Sequence, residues 1–121
     1  MHIKIINTIS LIRATPVRQL NLEECKNLLL AIALIAKHSD KYYIIIDTRK
    51  TKSIMSVIDL WYLSAHLYEY KDTFAQKTVI LYKPEHFDNV DFFSLCSINR
   101  GYKVNAYPTY EEGIEWLLGN G

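Results

Sequence analysis

The 121-residue sequence has two cysteines, Cys25 and Cys96, no long apolar run, and 14 Lys+Arg against 13 Asp+Glu. Two distant cysteines offer neither a CxxC metal pattern nor a disulfide framework, and such residues pack as small apolar groups. The four histidines, His2, His38, His66 and His86, show no HExxH or paired spacing, so no metal is expected. The longest apolar stretch, Leu28 to Ala36, is about half of what a membrane-spanning helix needs and reads as a buried helix. The opening MHIKIINTIS lacks the basic start, longer apolar region and small-residue cleavage site of an export signal, which makes the cytoplasm the expected location. A net charge of +1 gives no general attraction to nucleic acid. There is no GxSxG, Gly-rich phosphate loop or spaced pair of catalytic carboxylates, so neither enzyme chemistry nor a cofactor is expected.

What is present is an ordinary globular composition, 50% hydrophobic and 22% charged, at a length suited to one domain over residues 1–121. In HIKIINTISLIRAT, β-branched residues flank Asn7-Thr8, which predicts two short strands about a tight turn or one bulged strand, closed by Pro16. Asn21 with Glu24 three residues later is a capping pattern for a helix over about 22–38, with Cys25, Leu28, Leu29, Ile32 and Ile35 or Ala36 facing inward. KYYIIID has the composition of a central strand covered on both faces and ends at Asp47. From Val57 to about Tyr70 the spacing predicts a second helix with Leu60, Trp61, Ser64 and Leu67 or Tyr68 against the sheet, and Tyr62 and Tyr70 pointing away.

KTVILYKP is the next strand, after which Asp88 or Asn89 caps a third helix that Gly101 stops. YKVNAY is a last strand. Thr109 with Glu112 then opens a terminal helix that turns Ile114 and Trp116 or Leu117 inward. Gly113 weakens that helix by about 1 kcal/mol relative to Ala, so packing must compensate. The alternation predicts an α/β fold with a mixed, mainly parallel sheet of four or five strands and about four helices. One core is expected to join Leu29, Ile32, Ile45, Leu60, Ile80 and Trp116.

The stretch YYIIIDTR, the polar loop and helix through SVIDLWYLSAHL, then TVILY and the ending RGYKVNAYPTYEEGIEWLL together resemble the STAS superfamily. Within it the chain is similar to the STAS-like or SpoIIAA-like group, the anti-sigma-factor antagonist-like domains, related in fold to Sec-14-like lipid-binding domains. The resemblance implies a binding module without chemistry of its own, whose partner is a protein, a regulatory kinase or anti-sigma type, met through the loop and helix after the central strand. It also implies a switch by serine phosphorylation within Asp-Ser-Ser-Gly. The matching serine is Ser56, but Met55 stands for the aspartate and Val57-Ile58 for Ser-Gly, so that motif is otherwise absent.

The candidate partner- or anion-binding residues are Asp47, Arg49, Lys50, Lys52, Ser53, Ser56 and Tyr62, between the carboxyl end of a strand and the amino end of a helix. Three cations and a helix N-terminus would attract a phosphate, nucleotide or lipid headgroup. The plainer reading makes Ser56 a helix cap with Asp59 as its box partner and leaves the lysines solvated. A phosphoacceptor receiver domain would also place an aspartate at Asp47. Its Mg²⁺ site needs further carboxylates, normally on the first strand, and HIKIINTISLIRAT has none. The expected function is therefore protein binding, with a homodimer one form of it; the alternative is a small anionic ligand or a lipid, the latter needing a deep apolar cavity.

Overall fold

Ile44, Ile45 and Ile46 are all buried, although successive strand residues point to opposite faces, so both faces of their strand are covered. The computed structural model describes residues 3–7, 11–37 and 42–119; His2, His38 and Thr8 of the expected first turn lie outside them. Within these residues run strands β1 Ile3–Asn7, β2 Leu11–Pro16, β3 Arg18–Leu20, β4 Tyr43–Asp47, β5 Thr51–Ser53, β6 Thr78–Leu81 and β7 Val104–Tyr107. The helices are α1 Leu22–Ala36, α2 Val57–His66, α3 Phe87–Asn99 and α4 Tyr110–Leu118.

The main sheet has the order β1-β2-β4-β6-β7, with β1 antiparallel to β2 and every other pair parallel. After β2, each new strand joins at the same edge. Right-handed crossovers then place all three connecting helices on one face. Ile12, Ala14, Ile44, Ile46 and Ile80 accordingly pack against α1, α2 and α3, while Ile45, Val79 and Leu81 meet Leu117 of α4 on the other face. The expected single core is thus two cores, and Ile45 and Trp116 belong to the smaller one. The period of two divides the isoleucine run between them.

The helix expectations hold for α1, where the Asn21 side chain accepts from the Glu24 N–H at 2.8 Å. Three others need correction. On α2 the buried positions are Leu60, Leu63, Ser64 and, just beyond, Leu67, so Trp61 faces outward, 48% exposed. A tighter 3₁₀ turn at Leu67–Tyr70 changes the angular phase and returns Tyr70 to the first core, leaving Tyr68 exposed. A further 3₁₀ turn at Pro84–His86 leads into α3, which makes His86 its N-cap without a side-chain bond and places Asp88 and Asn89 inside the helix.

The end of α3 follows the sequence. Gly101 has φ +96°, its N–H donates to Ile98 O at 2.9 Å, and the Tyr102 N–H reaches Ser97 O at 3.0 Å, a paired closure that favours glycine. Gly113 has a different cause. A Cβ there would stand 2.9 Å from Val79 Cγ1 and 3.2 Å from Leu81 Cδ2, so the missing side chain lets α4 lie directly on β6. Lys77 Nζ donates to Trp116 O and Gly119 O, both at 3.2 Å, satisfying carbonyls at the end of that helix.

The short parallel pair β3 and β5 was not foreseen. It begins at Arg18, whose φ of +70° is uncommon for a residue with a side chain, and continues into the Ile54 N–H to Leu20 O bond at 3.1 Å. It brings the chain between β2 and α1 beside the loop after β4.

Candidate functional site

Asp47 ends β4 and is 3% exposed. Arg49 grips it in a fork, Nε to Oδ1 and Nη2 to Oδ2, each at 2.9 Å, and also donates its backbone N–H to Oδ1 at 3.1 Å. A fourth bond comes from Arg13 Nη2 to Oδ2 at 3.0 Å, across from β2. Arg13 in turn lies over the Tyr110 ring, 5.1 Å from its centroid. Burial pushes the Asp47 carboxyl up, but the bonds from Arg49 and Arg13 outweigh it and hold the group at about 2. The same bonds raise Arg49 above its ordinary value.

Four donors fill the acceptor capacity of one carboxylate. Asp47 therefore organises its own loop, and Arg49 is not a free cation awaiting an anion. The rest of the turn is equally closed. Thr48 donates its hydroxyl to Leu81 O at 2.7 Å, and Thr51 donates its N–H and its hydroxyl to Thr48 O at 3.0 and 2.7 Å. Among the described residues no three His, Cys, Asp or Glu side chains converge as metal ligands.

Beyond Thr51 the candidate residues separate. Lys50 and Lys52 are exposed and make no ion pair with any described residue. Ser53 is half-buried, and its hydroxyl accepts from the Met55 N–H at 3.4 Å. Ser56 caps α2 through a reciprocal box: it accepts from the Asp59 N–H at 3.1 Å, and its own N–H donates to Asp59 Oδ2 at 3.1 Å. A phosphate on Ser56 would face the Asp59 carboxylate, so it would have to open the box first. Tyr62 is exposed on the outer face of α2, edge-on to Trp61 with ring centroids 5.3 Å apart.

The outer surface from the loop into α2 carries Ile54, Val57, Ile58, Trp61 and Tyr62, all exposed, with Ile58 at 67%. Trp61 is also covered by Arg100 of the turn after α3, whose guanidinium carbon stands 4.9 Å from a ring centroid and whose Nε donates to Ser64 Oγ at 3.2 Å. The expectation singled out Tyr62 alone. The wider stripe was legible as the apolar residues left over once Leu60, Leu63 and Ser64 had taken the inner face.

Behind α2, on the inner side, lies a cavity of about 90 Å³. Ile46 and Ile80 form its floor, Cys25, Leu28 and Leu29 of α1, Leu60 and Leu63 of α2, and Val90 and Phe93 of α3 its walls, and Thr48, Thr51, Ser53, His86 and Asn89 its polar part. Burial, with the nearby Glu24 charge adding to it, pushes the Cys25 thiol up to about 12, which keeps it a neutral, unreactive group. No sequence signal marks this cavity, because its size depends on the separation of three helices.

A solved structure that is similar to this chain is an uncharacterized protein of the DUF3478 family, with a SpoIIAA-like fold, from Shewanella loihica PV-4. The two match with a TM-score of 0.61 over 96% of this chain and 92% of that one, at 11% identity. The chain therefore has a SpoIIAA-like α/β fold; at that identity the likeness concerns fold alone. No family model and no curated protein matches the sequence.

Proposed function

We propose that the chain is a non-catalytic binding module that recognises a protein partner through the outer face of α2 and the loop before it. The carrying observation is the stripe Ile54, Val57, Ile58, Trp61 and Tyr62, large apolar groups held half out of water on α2 and the loop before it, none of them used in the inner packing of that helix. Trp and Tyr are the side chains that most often anchor protein interfaces, and Lys50 and Lys52 supply a charged rim. The locked turn at Asp47 gives this surface a fixed base, which limits the ordering cost of binding.

Strand addition at β7 is a poorer route to a partner. There the outward Val104 O accepts from Ser94 Oγ at 2.9 Å, and the outward Ala106 N–H donates to Asn105 Oδ1 at 2.9 Å, so side chains already occupy that edge. No described helix is long and apolar enough to cross a membrane. A lipid or anion reading has less support on two counts. Arg49 is bound to Asp47 and so is not free for an anion, and a space of about 90 Å³ is too small for a long acyl chain.

The test compares wild type with Ile58→Asp on the proposed surface and Leu118→Asp on α4, in pull-downs with mass spectrometry and in sedimentation of the pure protein. A partner retained by wild type and Leu118→Asp but lost by Ile58→Asp is the expected result. Self-association that Ile58→Asp abolishes would identify the partner as a second copy. Equal retention by all three would sink the proposal.

A further inference from the structure

Close-packed side chains leave few gaps larger than a water molecule, and the space behind α2, which is partly open to solvent, is larger than that. Cys25, a small side chain, is one of the residues that line it. We propose that this cavity is a binding site for a small neutral amphiphile: one compact apolar group no larger than a benzene ring, carrying a single hydrogen-bonding head. The inference is independent of the outer face of α2 and concerns a different surface of that helix.

Size sets the apolar part. A cavity of about 150 Å³ lined by Leu, Ile and Phe accepts benzene, so a space of about 90 Å³ makes one such ring the upper limit and excludes a long acyl chain. The lining sets its chemistry. Leu28, Leu29, Leu60, Leu63, Val90 and Phe93 offer no hydrogen bond, and an un-ionised thiol adds no charge.

The head group follows from where the polar residues stand. Thr48 and Thr51 have already donated their hydroxyl hydrogens, to Leu81 O and Thr48 O. By contrast, the side chains of His86 and Asn89, which also line the cavity and are half-buried, make no hydrogen bond with any described residue. An imidazole and a carboxamide can each donate and accept, so a hydroxyl or amide on the ligand would find partners there.

The experiment titrates the full-length chain with benzene, phenol and palmitate, read by protein NMR shifts and by thermal melting. Benzene and phenol should each bind saturably at one site and raise the melting temperature, with phenol about three- to tenfold tighter, as one added hydrogen bond implies. Asn89→Ala with His86→Leu should remove that advantage and leave benzene unaffected. Cys25→Leu, or Cys25→Met should the first variant misfold, should weaken both probes by about tenfold or more. The proposal is overturned by an absence of saturable benzene binding, by a filled variant that binds as well as wild type, or by a phenol preference that is missing or survives the double substitution. One-to-one palmitate binding in the same cavity would overturn its size limit.

Discussion

The two faces of the sheet are packed on opposite terms. Three helices cover one face and still leave about 90 Å³ of space between them, whereas a single helix covers part of the other so closely that residue 113 has no room for a methyl group. The polar ends differ as well. On the α4 side Asp47 is held by four hydrogen bonds, while on the three-helix side the side chains of His86 and Asn89 make no hydrogen bond with any described residue. The comparison teaches where this fold tolerates change. The α4 face acts as a rigid base, and the three-helix face retains the slack and the exposed apolar surface that binding requires.

The strongest test of the rigid face is Ile45→Ala. Ile45 is fully buried between β2 and β6 and packs with Val79, Leu81 and Leu117. A core with no spare volume relaxes little around a deletion, so the loss should be about 3 to 4 kcal/mol in urea unfolding. A loss below about 1 kcal/mol would mean that β4 is peripheral.

The Asp47 network should show next in the acid limb of stability. Its folded carboxyl sits at about 2 against an ordinary 3.8, a depressed value. Stability from this group is therefore complete above about pH 4 and is lost as the pH falls through about 2. The difference corresponds to about 2 kcal/mol. Asp47→Asn should bring a similar loss at pH 7 and flatten that part of the pH profile. Arg13 and Arg49 are each about one-third exposed, so water would take up part of their freed charge. An unchanged acid limb in Asp47→Asn would show that the network does not couple to folding.

Much of this frame was readable from the residues, and the exceptions share a cause. The β4 isoleucines, the Asn21 and Thr109 caps and the Gly101 stop are local patterns, and each element appears where its pattern lies. Arg13 is 34 positions from Asp47 and looks like an ordinary outward residue between Ile12 and Ala14, so nothing local announces their contact. The β3–β5 pair is three residues per strand, too short for an alternating pattern. The cavity is a distance between helices and has no pattern at all. For the candidate site, the sequence located the turn and the helix start, but the side chains it grouped together point in different directions: Arg49 to Asp47, Ser53 to the cavity, Ser56 to Asp59 and Tyr62 outward.

Two substitutions that each add one carbon's worth of bulk bring the contrast to its sharpest form. Gly113→Ala gains helix propensity, up to about 1 kcal/mol, but drives a methyl group into Val79, a fully buried and β-branched side chain with little freedom to turn away. Overpacking of this kind costs about 1 to 3 kcal/mol, which leaves a net loss of about 1 kcal/mol.

Cys25→Val is the counterpart on the other face. It exchanges the thiol for two methyl groups beside the cavity, where the extra carbon meets empty space and apolar walls. The two residues have similar helix propensities, so packing decides the sign. Thermal and urea unfolding of the pair should show Gly113→Ala destabilised and Cys25→Val unchanged or more stable by up to about 0.8 kcal/mol, the value of one buried CH₂. If Cys25→Val is instead destabilised as much as Gly113→Ala, the three-helix face has no slack, and the cavity cannot admit a ligand without moving its walls.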